Sequence, residues 1–204
     1  MKLYLSSEGI PDINVFQEFI GKKVEDIKFG LVFHAKDYKP APEREAKLEE
    51  AITYFTNFGI TVEVIDLFDT ESLDNLHTYD VIWFNGGNTF YLGWTIAESG
   101  TKKLLDYIFN ENVVYAGDSA GAVMAGPVID KYGIADDPDV APYIVTEGLK
   151  YIDLGLLPHW GSEEYAAVLG GIEKSFNDDG YETIRLSDNG YLLIENGHIV
   201  DKKF

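Results

Sequence analysis

Val113-Val114-Tyr115-Ala116-Gly117-Asp118-Ser119-Ala120-Gly121-Ala122 is the stretch from which the fold of this chain is read. Its first residues are apolar, β-branched and aromatic, as in a buried strand. The run stops at Gly117 and resumes as Ser119 to Ala125, small residues that tolerate a helix. That is a strand, a sharp turn and a helix, with Ser119 on the turn. Gly117-x-Ser119-x-Gly121 has the spacing of a nucleophile elbow, in which neighbouring backbone comes so close that only glycine fits on either side of the serine. Such a turn lifts the hydroxyl clear of the sheet and aims the Ala120 N–H and the helix dipole at the same point. The competing reading is a tight turn whose serine caps the following helix.

Outward from this stretch, strand and helix patterns alternate. Strands are expected at Lys2 to Ser7, Phe29 to His34, Thr61 to Asp66 and Asp80 to Phe84, with helices at Ile10 to Ile20, Glu43 to Phe58, Thr89 to Ala97 and Gly100 to Asn110. This rhythm predicts βαβ units, hence an α/β fold with a mostly parallel sheet sandwiched between helices. Sites in such sheets lie at the carboxyl ends of strands, where Asn85-Gly86-Gly87-Asn88-Thr89 and the elbow both fall. After Gly126 the rhythm changes. Asp130 to Pro142, with Asp136-Asp137-Pro138-Asp139, reads as a solvated acidic surface loop, without the spacing of a calcium loop. Glu163 to Phe176 reads as a helix, Glu182 to Leu186 as a strand, and Tyr191 to Asp201 as a hairpin turning at Asn196-Gly197. No linker or repeat divides the 204 residues, so one domain spanning 1–204 is expected.

Composition excludes several functions. The formal net charge is −19, from 35 acidic against 16 basic residues. Such a surface repels phosphate backbones and anionic lipid, which argues against nucleic-acid and membrane-surface partners. Cysteine is absent, which removes disulfides, thiolate catalysis and cysteine-ligated metal centres. The apolar run at Met1 to Ser7 is too short for the core of a signal peptide, and no run approaches a membrane span, so a cytoplasmic location is expected. No metal or organic cofactor is implied.

An elbow serine needs a base, a group that orients the base, and a second oxyanion donor. Of the four histidines, His34 reads as a satisfied structural residue, and His77 and His198 as solvated. His159 ends an apolar segment after Pro158 and is the candidate base. Gly87 N–H is the candidate second donor beside Ala120, since glycine lets backbone approach a substrate carbonyl. Asp188 and Glu195 are both candidates for the orienting acid. Asp118 either shapes the turn or contacts substrate, and Asn88 is a further candidate contact.

Asn85-Gly86-Gly87-Asn88-Thr89-Phe90, Gly117-Asp118-Ser119-Ala120-Gly121-Ala122 and Leu157-Pro158-His159 together resemble the peptidase E family of serine peptidases, the aspartyl dipeptidases, whose relatives include cyanophycinase. The resemblance spans nearly the whole chain. It implies a fold similar to class I glutamine amidotransferases, with serine in place of their cysteine, and a Ser-His-acid triad acting on short peptides. The family's serine matches Ser119, its histidine His159, and its oxyanion donors Gly87 and Ala120. Its triad acid is a glutamate in a Leu-Pro-Glu-Gly segment. Leu186-Ser187-Asp188-Asn189 matches that segment and puts Asp188, one methylene shorter, at the position, with Glu195 as the alternative. The arginine that would pair an aspartyl side chain of the substrate has no counterpart between Trp160 and Asn177. Arg44 and Arg185 are the chain's only arginines. Strict recognition of N-terminal aspartate is therefore in question.

Two rival functions share these residues. An α/β-hydrolase esterase would place an acid such as Asp153 before His159 or His198. A non-enzymatic, amidotransferase-like protein would keep the elbow as architecture and bind a small ligand. Monomer and homodimer are both compatible with the sequence.

Overall fold

Four apolar stretches line up beside the elbow strand in one parallel sheet, two of them pairing with it directly, as the computed structural model of residues 1–204 describes. The strands of the main sheet are β1 (Lys2–Ser6), β2 (Phe29–Val32), β3 (Val62–Ile65), β4 (Val81–Phe84), β5 (Val114–Asp118), β8 (Tyr191–Glu195) and β9 (His198–Lys203), in the order β3-β2-β4-β5-β1-β8-β9. The pairings from β3 to β1 are all parallel, and the Asn196-Gly197 hairpin then adds β8 and β9 antiparallel at the β1 edge. A separate two-stranded parallel sheet joins β6 (Leu154–Leu157) to β7 (Glu182–Arg185). The helices are α1 (Ile13–Ile20), α2 (Ala41–Thr56), α3 (Thr70–Asp74), α4 (Thr89–Glu98), α5 (Lys102–Glu111), α6 (Ala120–Val123) and α7 (Leu169–Asp178). None is long and apolar enough to cross a membrane.

The two-residue period of a strand sorts the core into two layers. Along β4, Val81 and Trp83 enter one cluster with Phe16 and Phe19 of α1 and Phe55 of α2. Ile82 and Phe84 enter the other, with Ile96 of α4, Leu105 and Phe109 of α5, and Ala122 of α6. β1 divides likewise, Tyr4 to the first cluster and Leu3 and Leu5 to the second. Burying one such large apolar side chain contributes about 1.5–3 kcal/mol. This two-faced burial is why the central strands are apolar without interruption.

Two segments depart from the sequence-based expectation. The helix expected at Glu163 to Phe176 begins only at Leu169. Before it the chain turns, with Gly161 at φ +92° and the Val168 N–H donating to the Tyr165 carbonyl. Tyr165 is drawn instead into a ring contact with His159, a tertiary interaction that overrides helical periodicity. The acidic stretch after Asp130 is solvated only in part: Asp130, Asp137 and Asp139 are exposed, but the segment is anchored at other points. Ile129 and Tyr132 are buried, and the Asp136 carboxylate accepts the Thr89 N–H at the start of α4. It therefore packs over the amino end of that helix, where a carboxylate is favoured.

The elbow rests on the close approach the sequence pattern implies. A Cβ on Gly121 would lie 1.9 Å from the Phe84 carbonyl oxygen, and one on Gly117 would lie 2.7 Å from the Gly121 carbonyl carbon. Gly121→Ala is accordingly expected to cost about 3 kcal/mol or more by overpacking against backbone that cannot yield, roughly 6–12 °C in a protein of this size. Thermal denaturation followed by circular dichroism checks this. An unchanged transition would mean that α6 does not sit against β4 as closely as described.

Candidate active site

The carboxyl ends of β1, β2, β4 and β5 lie together because the parallel registers align Ser6 with Asp118, Val32 with Phe84, and Phe84 with Gly117. Ser119 follows β5 there. Its backbone adopts φ +47° and ψ −113°, a conformation costing a non-glycine residue about 1–3 kcal/mol. The fold sustains it through the Ser119 N–H donated to the Ser6 carbonyl at 3.2 Å and the Val123 N–H donated to the Ser119 carbonyl at 2.9 Å. The side chain makes no capping hydrogen bond to α6. Its Oγ lies 3.0 Å from His159 Nε2.

His159 and Asp188 meet because β6 pairs with β7. Leu157 sits opposite Arg185 in that register, and the chain continues two residues to His159 and three to Asp188. The His159 Nδ1 to Asp188 Oδ1 distance is 2.8 Å. A carboxylate only accepts, so Nδ1 carries the proton and Nε2 presents its lone pair to the Ser119 hydroxyl. The backbone at this junction is tied on several sides. The His159 N–H donates to Ser7 Oγ at 2.7 Å and the Trp160 N–H to the Leu186 carbonyl at 2.9 Å. The Ser7 N–H in turn donates to the Gly190 carbonyl, closing the turn that carries Asp188 onto β1. Tyr165 stacks on the imidazole at 4.8 Å between centroids, with planes 17° apart. Asp188 is half-exposed, so the pair matters for orientation more than for stability.

Backbone donors flank the serine. In the run Asn85 to Asn88, the Asn85 N–H donates to the Val32 carbonyl, the Gly86 N–H to Asp118 Oδ1, and the Asn88 N–H to the Ala35 carbonyl. The Gly87 N–H donates to no acceptor in the chain, and neither does that of Ala120. At Gly87 the φ is +153°, and a Cβ would lie 2.5 Å from the Ala35 carbonyl oxygen, so only glycine fits.

The remaining candidates are placed elsewhere. Asn88 is buried and serves as a cap: its Oδ1 accepts the Tyr91 N–H at the start of α4, and its Nδ2 donates to the Asp137 carbonyl. Asp118 faces the turn, accepting from Trp83 Nε1 at 2.7 Å and from the Gly86 N–H at 3.2 Å. Burial raises its carboxyl above the ordinary range, and the Trp83 bond opposes that shift most. Glu195 pairs with Lys2 at 3.5 Å, at the amino end of β1 and so at the opposite end of the strands from Ser119. Asp153 is exposed immediately before β6, with the whole strand between it and His159. His34 is buried between Asp37 and the Leu67 N–H. His77 and His198 are exposed.

Three residues near the serine and histidine escape a sequence reading. Tyr165 is one. Asp136 is another: its carboxylate accepts the Thr89 N–H at 2.8 Å, two residues past Gly87, and burial raises that carboxyl while the Thr89 bonds oppose the shift. Lys36, whose Nζ donates to the Gly86 carbonyl at 2.5 Å, is the third. No motif marks them, because each arrives from a separate loop. Both arginines are engaged, Arg44 with Asp37, and Arg185 with Glu173 while also lying 4.1 Å over the Trp160 ring. No three His, Asp or Glu side chains converge as a metal site requires.

Comparison with known proteins defines the class first: this is a serine-type peptidase with an α/β fold. The sequence profile of peptidase family S51 matches residues 39–201, and the chain belongs to that family, the peptidase E family. An uncharacterized peptidase of Pasteurella multocida is 28% identical over 164 residues, covering 78% of this chain and 77% of that protein. One from Listeria innocua is 26% identical over 166 residues, covering 76% and 79%. Among solved structures, one described as a peptidase E protein from Listeria monocytogenes superposes with a TM-score of 0.84 at 22% identity, over 99% of this chain and 97% of that one. A peptidase from an acI-B1 actinobacterium gives 0.72 at 15% identity, over 95% and 83%.

Proposed function

We propose that this peptidase cleaves short peptides by acyl transfer through a Ser119-His159-Asp188 triad. The observation that carries the reading is the unbroken line from Ser119 Oγ to His159 Nε2 at 3.0 Å and from Nδ1 to Asp188 at 2.8 Å. Ser119 Oγ attacks the scissile carbonyl carbon while its proton passes to His159 Nε2. The carbonyl oxygen, now an oxyanion, is held by the Gly87 and Ala120 N–H groups, each such donor being worth about 3 kcal/mol. Collapse breaks the C–N bond, and His159 returns the proton to the departing amine. Water then attacks the acyl-serine, giving its proton to His159, and the acid is released as Ser119 regains its hydrogen. Asp188 holds the tautomer throughout.

Charge around the Gly87 turn narrows the substrate. The Asp136 carboxylate sits on the Thr89 N–H two residues past Gly87, and neither arginine is free. A positively charged peptide amino terminus suits this setting better than an acidic side chain, which needs a desolvated cation. A panel of Asp-X, Glu-X and neutral X-X dipeptides, each with a free and an N-acetylated amino terminus, tests the reading. Hydrolysis of free-amino neutral dipeptides is expected to match or exceed that of Asp-X. Acetylation should reduce turnover by at least tenfold. Hydrolysis of Asp-X alone would overturn this substrate assignment, and equal hydrolysis by Ser119→Ala would overturn the mechanism.

A further inference from the structure

We propose that Lys36 is a positioning residue for the oxyanion hole, acting through the Gly86–Gly87 peptide. This rests on the serine mechanism above. The carbonyl of Gly86 and the N–H of Gly87 belong to one planar trans peptide unit and point in opposite directions. Lys36 Nζ holds that carbonyl at 2.5 Å. The same bond therefore sets where the Gly87 N–H points, toward the side of the turn away from Lys36.

The rest of the turn explains why this one bond matters. The plane before Gly86 is held by the Gly86 N–H on Asp118, and the plane after Gly87 by the Asn88 N–H on the Ala35 carbonyl. Only the plane between them lacks a donor-side partner, and it lies between two glycines, where rotation meets the least steric resistance. Without Lys36 the unit is free to rotate and present its carbonyl oxygen, rather than its N–H, to the reacting carbonyl. An acceptor in that place repels an oxyanion. Lys36 is itself well anchored. It follows β2 in a short 3₁₀ turn at His34–Lys36, its Nζ lies 5.1 Å from the Phe33 ring centroid, and Asp118 supplies an opposing charge. Burial lowers the ammonium from its ordinary value, and the Asp118 carboxylate counters that. Asp118 and Lys36 thus grip Gly86 from its two ends.

The ammonium also lines a cavity of about 410 Å³, together with Glu8, Tyr54, Asn85 and Asp118. A small alkylammonium ion can enter there.

The test reads the rate at which a fluorophosphonate labels Ser119, a reaction independent of peptide preference. The Ser119 Oγ–P bond forms, the P–F bond breaks, fluoride leaves, the hydroxyl proton passes to His159, and negative charge grows on the phosphoryl oxygen in the same hole. Lys36→Met, which keeps the apolar stem over Phe33, is expected to label about 10- to 100-fold more slowly than wild type, because a misoriented donor forfeits part of the 10²–10³-fold that one oxyanion donor supplies. Its melting temperature is expected to stay near that of wild type. Lys36→Ala is expected to be slow as well, and to recover at least fivefold in millimolar propylammonium, whereas propanol has no effect. Labelling of Lys36→Met within threefold of wild type overturns the inference. So does failure of propylammonium to restore Lys36→Ala, since the loss would then come from packing. Wild type that labels no faster than Ser119→Ala would remove the serine mechanism, and this inference with it.

Discussion

Ser119→Ala is expected to lower kcat by about 10⁵- to 10⁶-fold on any dipeptide the wild type cleaves, with the unfolding free energy changed by less than about 1 kcal/mol. Alanine removes only Oγ. The strained backbone at φ +47° is held by hydrogen bonds of the Ser119 N–H and carbonyl, which the substitution leaves in place. Residual activity should stem from the Gly87 and Ala120 donors and from substrate binding alone, and KM should change little. Steady-state kinetics, with intact-mass detection of an acyl adduct on the wild type only, check the expectation. A loss below a hundredfold would assign the nucleophile elsewhere.

Asp188→Asn should produce the second largest effect, a fall in kcat of roughly 10³- to 10⁴-fold. An amide can offer its NH₂ to His159 Nδ1, which moves the imidazole proton to Nε2 and leaves nothing to accept the Ser119 proton. The half-exposed position of Asp188 allows some solvent compensation, hence the lower bound. Glu195→Gln is the matched control: its ion pair with Lys2 lies at the opposite end of the strands from Ser119, and kcat/KM is expected to stay within twofold of wild type. The reverse pattern would make Glu195 the relevant acid and would require a geometry other than the one described.

The parts of the fold that could be read from sequence are those encoded by local period. Val81 to Phe84 and Val114 to Ala116 announce buried strands because both faces of each are covered. Gly117 and Gly121 announce the elbow because the backbone contacts they permit are too close for any side chain. The hairpin at Asn196-Gly197 was legible for the same kind of reason, since its two turn residues sit at φ +51° and +80°. Where a side chain found its partner in a distant loop, periodicity misled. Glu163 to Val168 carries a helical pattern, yet the Tyr165 ring is taken up by His159. Asp136 lies in an acidic run that looks solvated, yet the first N–H of α4 claims it. Asn88 looked free to meet a substrate, but it is held at both ends.

By itself, then, the sequence determined the parallel α/β architecture, the elbow with its serine, and a short set of residues able to serve it. Each of those depends on neighbours within a few positions, so spacing alone expresses it. Only the tertiary structure decided which acid stands behind His159, which N–H groups are left without partners, and which carboxylate packs on the start of α4. Those outcomes follow from strand register. One pairing of β6 with β7 carries Asp188 to the histidine, while the pairing of β8 with β1 carries Glu195 to the amino end of β1, the far end of the strands from Ser119. No local pattern records a register between strands separated by a helix.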